Sequence, residues 1–144
     1  MDIQRAIWQK ISWPVSVQQL TALLDVVDEQ EIPLDIVLEQ EQVNLLLHEK
    51  TIHCHHRDSC VDIMTTEGEF CIDLEQLEQI QVVSRLAGAA RGFSLELSSR
   101  SGSSTLVLSG PHAQKSHVGQ VWSLLMEALM PAPKTFSRQR VVLA

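Results

Sequence analysis

The hydrophobic positions of this chain change their period twice. After Pro14, Leu20, Leu23, Leu24 and Val27 recur at i, i+3, i+4 and i+7, which lines them up on one face of an α-helix. Ser16 is placed to cap that helix, because its hydroxyl can accept from an unpaired amide of the first turn. Pro33 ends any helix by that point. A shorter helix is expected over Asp2–Lys10, with Ile3, Ile7 and Trp8 facing inward.

From residue 34 the pattern shortens to strand length. Leu34–Leu38 and Val43–Leu47 are apolar runs, and Thr51–His56 alternates, with Ile52, Cys54 and His56 on one face and Thr51, His53 and His55 on the other. Val61–Thr65 and Phe70–Leu74 flank Thr66-Glu67-Gly68-Glu69, a hairpin signal. Ile80–Val83 is a further β-branched run. Gly88 and Gly92 are read as bracketing a loop that holds Arg91. Phe93–Leu97 and Thr105–Leu108 are joined by a serine- and glycine-rich turn. Helical spacing then returns after Ser109-Gly110-Pro111, where proline suits a first turn. Val118, Val121, Trp122, Leu125 and Leu129 form its apolar stripe, stopped by Pro131 and Pro133. Serial strands framed by helices predict an α+β fold with a mainly antiparallel sheet and helices at the N- and C-terminal ends. One domain is expected over 1–133, followed by a basic tail at 134–144.

Composition narrows the class. At 144 residues, 44% of them apolar and 20% charged, the chain can bury a core and is not a disordered tail. Charge is unevenly spread: residues 1–80 carry a net of −12 and residues 81–144 a net of +5, for −7 in total. An overall acidic chain disfavours nucleic-acid binding, while a basic second half suits an anionic ligand. Three cysteines without a C-x-x-C pair, no signal-peptide pattern and no apolar run near 20 residues point to a reduced, cytoplasmic protein without membrane insertion.

The most unusual segment is His48-Glu49-Lys50-Thr51-Ile52-His53-Cys54-His55-His56-Arg57, with four of the six histidines in nine residues. Strand geometry puts His53 and His55 on one face, with Cα atoms about 7 Å apart. Two imidazoles so placed can share a metal, or one can ligate a haem iron while the other lines the pocket. A closed zinc site needs four ligands, so Cys60, Cys71, His112 or His117 would have to complete it; exposed strand histidines with no ligand remain the plain alternative. Cys54 and its histidine neighbours point to opposite strand faces, which does not favour a cysteine nucleophile. Arg85 and Arg91 are suited to pairing bidentately with the carboxylates of a dianionic ligand such as haem.

His48-Glu49-Lys50-Thr51 resembles the H-E-K/R motif of the HemS/ChuX haem-utilisation (haem-trafficking) family. Ile72-Asp73-Leu74 followed by Ile80-Gln81-Val82-Val83-Ser84-Arg85 is similar to that family's D-L … W-V-V-R segment, and Gly92-Phe93-Ser94-Leu95-Glu96-Leu97 to its G … T-S-L-E-L strand. The order and spacing of the three carry the likeness, across roughly residues 20–130. It implies a single-unit, ChuX-type member: an α+β fold with a saddle-like antiparallel sheet, a cytoplasmic homodimer and a haem carrier. Iron would be ligated by one of His48, His53, His55 and His56, with His53 and His55 favoured, and the propionates held by Arg85 and Arg91 with Lys50. The alternative is a dimeric, non-catalytic interaction module that has lost haem. A haem-degrading enzyme is a third reading that no residue specifies.

Overall fold

The computed structural model describes residues 10–87, 90–113 and 116–131. The expected helix over residues 2–9, Gly88 and the basic tail at 134–144 lie outside them. The described chain runs β1 (Lys10–Pro14), α1 (Val17–Glu29), β2 (Leu34–Glu39), β3 (Asn44–Lys50), β4 (His53–Arg57), β5 (Cys60–Thr65), β6 (Gly68–Asp73), a 3-10 turn (Leu74–Gln76), β7 (Leu77–Ala87), β8 (Ala90–Ser99), β9 (Thr105–Ser109) and α2 (His117–Ala128). The α+β architecture, with a mainly antiparallel sheet and helices near both ends, is the one expected.

The strands form two antiparallel sheets. One has six strands in the order β1-β7-β8-β9-β2-β3, the other three in the order β4-β5-β6. Helix α1 forms where the leucine spacing puts it. Its Ser16 cap accepts from the Gln19 amide at 3.1 Å while the Gln19 side chain accepts from the Ser16 amide at 2.9 Å, a reciprocal capping box. Leu20, Leu23, Leu24 and Val27 are all buried, each burial contributing about 1.5–3 kcal/mol relative to exposure. One contiguous core joins them to Val82, Leu95 and Leu108 of the large sheet, Val61, Ile63 and Ile72 of the small sheet, and Trp122 and Met126 of α2.

Three local expectations are corrected. Lys10 opens β1 and is not the end of a helix; β1 is an edge strand, where Pro14 lacks no ladder partner it would need. Arg91 and Gly92 lie inside β8, because β7 and β8 form a long hairpin whose last pair is Ala87 with Ala90. Helix α2 starts at His117, capped by Ser116, whose hydroxyl accepts from the Gly119 amide at 3.1 Å. Pro111 therefore sits in a connecting loop, six residues ahead of the helix, together with His112.

Candidate functional site

The histidine-rich segment is divided between the two sheets. His48 lies on β3, 77% exposed, with Nδ1 2.7 Å from Asp35 Oδ1. The same oxygen accepts from the Glu49 amide at 2.8 Å, which holds Glu49 at φ 50° where the β2–β3 register slips between Leu34 and Ile36. Lys50 stands opposite buried Leu34, so it points to the core side of the large sheet, where Nζ meets Glu67 at 2.6 Å.

On β4, His53 and His55 share the outward face of the small sheet, as the alternation requires. His53 Nδ1 lies 3.2 Å from Asp28 Oδ1 on α1, and the other Asp28 oxygen accepts from the Cys54 amide at 3.0 Å. His56 points to the opposite face, with Nε2 2.7 Å from Asp25 Oδ1. The carboxylates of α1 thus pin a strand that, among the described residues, lies at the edge of its sheet. His55 is opposite Asp62, which is opposite Cys71. That row places the carboxylate between thiol and imidazole, the reverse of what a nucleophile needs. Asp62 is instead gripped by Arg57 at 2.6 and 3.0 Å. Burial first, then Cys60 and Asp62, push the Cys71 thiol up to about 11, and burial beside Asp28 and Asp25 pushes Cys54 to about 12. Neither is a ready thiolate. Among the described residues, no three His, Cys, Asp or Glu side chains are grouped so as to hold a metal ion.

A different arrangement occupies the outer face of the six-stranded sheet. Arg85 on β7 is opposite Gly92 on β8, and Ser94 is opposite Ser109 on β9. These residues, with Phe93, Val107, Gly110 and His112, line a concavity of about 320 Å³. His112 reaches it because residue 92 is glycine: a Cβ there would lie 3.1 Å from the imidazole Cε1. The loop is set from behind by Gly119, against which the His112 carbonyl packs so closely that a Cβ would lie 2.0 Å away. An apolar strip leads outward from the concavity, since Val107 is opposite Val37 and Val37 opposite Leu46, the last 76% exposed.

Arg85 is held loosely. Its Nη2 lies 3.3 Å from Glu96 and its Nη1 3.5 Å from the Ser94 hydroxyl, in contrast to the two-point grip of Arg57 on Asp62. Of the residues expected to bind a ligand, Arg85 and His48 thus belong to the large sheet's outer side. The Arg91 backbone is on β8 and its side chain is outside the described part. His53, His55 and His56 belong to the small sheet. His112 entered the sequence reading only as a spare metal ligand; the Gly110-Pro111-His112 punctuation between a strand and a helix was the available signal.

The fold has known counterparts. PhuS, a haem-binding protein from Pseudomonas aeruginosa, is 14% identical, with a TM-score of 0.66 over 87% of this chain and 36% of its own. ChuX is 16% identical, with a TM-score of 0.60 over 89% of this chain and 81% of its own. ChuS, a haem-degrading enzyme of Escherichia coli O157:H7, is 15% identical, with a TM-score of 0.68 over 84% of this chain and 36% of its own. The chain therefore has the HemS/ChuX-type fold, and spans about a third of PhuS and ChuS but most of ChuX. No family model matches it, and no curated protein matches it in sequence.

Proposed function

We propose that this protein binds haem in the concavity on the outer face of the six-stranded sheet, as a carrier rather than an enzyme. The observation that carries the reading is the convergence of Arg85 and His112 on one cleft beside an apolar strip. The donor set fits: a neutral imidazole is a common ligand of haem iron, a guanidinium is the natural partner of a propionate, and Val107, Val37 and Leu46 supply apolar surface for a macrocycle. When bound, haem would supply the redox-active iron; the chain's own residues bind and orient it. Shared fold with haem-binding ChuX and PhuS supports the same choice.

The sequence-favoured ligands, His53 and His55, remain the rival assignment, and one experiment separates the two. Hemin is titrated into the purified protein and followed in the Soret region. His112→Ala and Arg85→Ala are each expected to weaken binding by at least about tenfold, while the His53→Ala, His55→Ala double variant binds as the parent does. The converse result assigns the iron to the small sheet. No saturable change for the parent protein overturns the reading and leaves an interaction module.

We also read the protein as a homodimer. The support is β3, the edge strand of the large sheet among the described residues, at which Val43 and Leu46 are exposed, and light scattering behind size-exclusion chromatography tests it. The three cysteines, all free, support a reducing, cytoplasmic setting. No helix among the described residues is long and apolar enough to cross a membrane.

A further inference from the structure

We propose that Glu96 is a built-in competitor for Arg85, and that it tunes the affinity of this end of the cleft for a carboxylate-bearing ligand. The inference rests on the haem reading above and adds to it a specificity-setting residue that does not itself need to touch the ligand.

The geometry gives the reason. Glu96 stands two residues beyond Ser94 on β8, so both side chains lie on the outer face with Arg85. Arg85 donates once to Glu96 at 3.3 Å and once to Ser94 at 3.5 Å. Both contacts are long and neither is the paired fork that a guanidinium makes with a committed carboxylate. Arg57 shows that committed form on the same molecule, at 2.6 and 3.0 Å. Arg85 is 57% exposed and Glu96 25%, so the outward side of the guanidinium is open to solvent while Glu96 holds the sheet-facing side. Buried Ser94 also donates to Glu96 at 3.4 Å. That bond gives the carboxylate a donor to keep when Arg85 turns to an incoming anion. A ligand carboxylate arriving at Arg85 therefore meets a fixed negative charge next to its partner, a like-charge arrangement that lowers affinity.

The test uses two probes that share a macrocycle. Protoporphyrin IX carries two carboxylates; its dimethyl ester carries none. Both are titrated into the full chain by fluorescence, with Glu96→Gln, Arg85→Gln and the double variant. Glu96→Gln is expected to tighten protoporphyrin IX by about three- to tenfold and to leave the ester unchanged. In the Arg85→Gln background the same change should bring a smaller gain, since the competition for the guanidinium is gone and only the direct like-charge repulsion is left. Unaltered or weakened protoporphyrin binding by Glu96→Gln overturns the proposal, as does an equal gain for the ester; Glu96→Asn serves if the glutamine variant misfolds. Hemin binding by the parent protein without binding of either metal-free porphyrin overturns this inference alone, whereas absence of hemin binding overturns the haem reading with it.

Discussion

The Trp122 indole lies flat against the backbone at Gly110. Its Nε1 donates to the Phe93 carbonyl at 3.1 Å, and a Cβ on Gly110 would sit 2.3 Å from the ring. This contact joins α2 to the end of β9 and to β8, so it fixes both ends of the loop that carries His112. Gly110→Ala is expected to destabilise the fold by about 3 kcal/mol, at the upper end of what overpacking costs. Gly68→Ala, where a Cβ meets nothing within 4 Å, is the control. Urea denaturation compares the two.

Gly119→Ala acts on the site from behind. The new methyl would collide with the His112 carbonyl, and backbone cannot give way as a side-chain end can. The loop must move, carrying the imidazole with it. Hemin affinity should fall by about tenfold although His112 is still present, a loss read in the Soret titration and compared with His112→Ala.

Asp28 holds the edge of the small sheet. It accepts from the Cys54 amide and lies beside the His53 ring. Asp28→Ala leaves a part-buried amide without its acceptor and should cost about 1–2 kcal/mol. Hydrogen exchange should quicken first at Cys54, before any loss of the core.

The Arg57 guanidinium holds the Asp62 carboxyl below the ordinary carboxylate range, chiefly by direct hydrogen bonding. A depressed carboxyl favours the folded state above its unfolded value, and that contribution is lost as pH falls through the folded value. Asp62→Asn should therefore change stability at neutral pH and converge with the parent in strong acid. Denaturation curves from neutral pH down to about pH 2 check the sign.

Exposure alone should not make Cys71 a reactive thiol. Cys71 is exposed, yet its thiol is pushed up to about 11 and that of part-buried Cys54 to about 12. Since only the thiolate alkylates, and a more basic thiolate is the better nucleophile, iodoacetamide at pH 8 should label Cys71 about tenfold more slowly than an unperturbed thiol. Cys54 should be labelled only after unfolding. Peptide mass spectrometry after a timed pulse measures both.

The chain itself determined what depends on neighbours a few residues away. The period of Leu20, Leu23, Leu24 and Val27 set α1 and its buried face. Ser16 set its start, because capping is a contact across three residues. Alternation put His53 and His55 on one face of β4. The resemblance spread over Asp73, Arg85 and Gly92–Leu97 pointed to the fold that the structure has. Tertiary structure alone decided which edges pair and which side of each sheet meets the core. The order β1-β7-β8-β9-β2-β3 brings residues 37, 46 and 107 into one strip, and no spacing records a pairing between residues seventy positions apart. The register slip at Asp35 turns Lys50 away from Arg85, although both are cations on one sheet. His112 is brought to Gly92 by a loop whose path is set by two close approaches, at Gly110 and Gly119. In sequence these are only glycines; what makes them necessary is the ring and the carbonyl that pack against them.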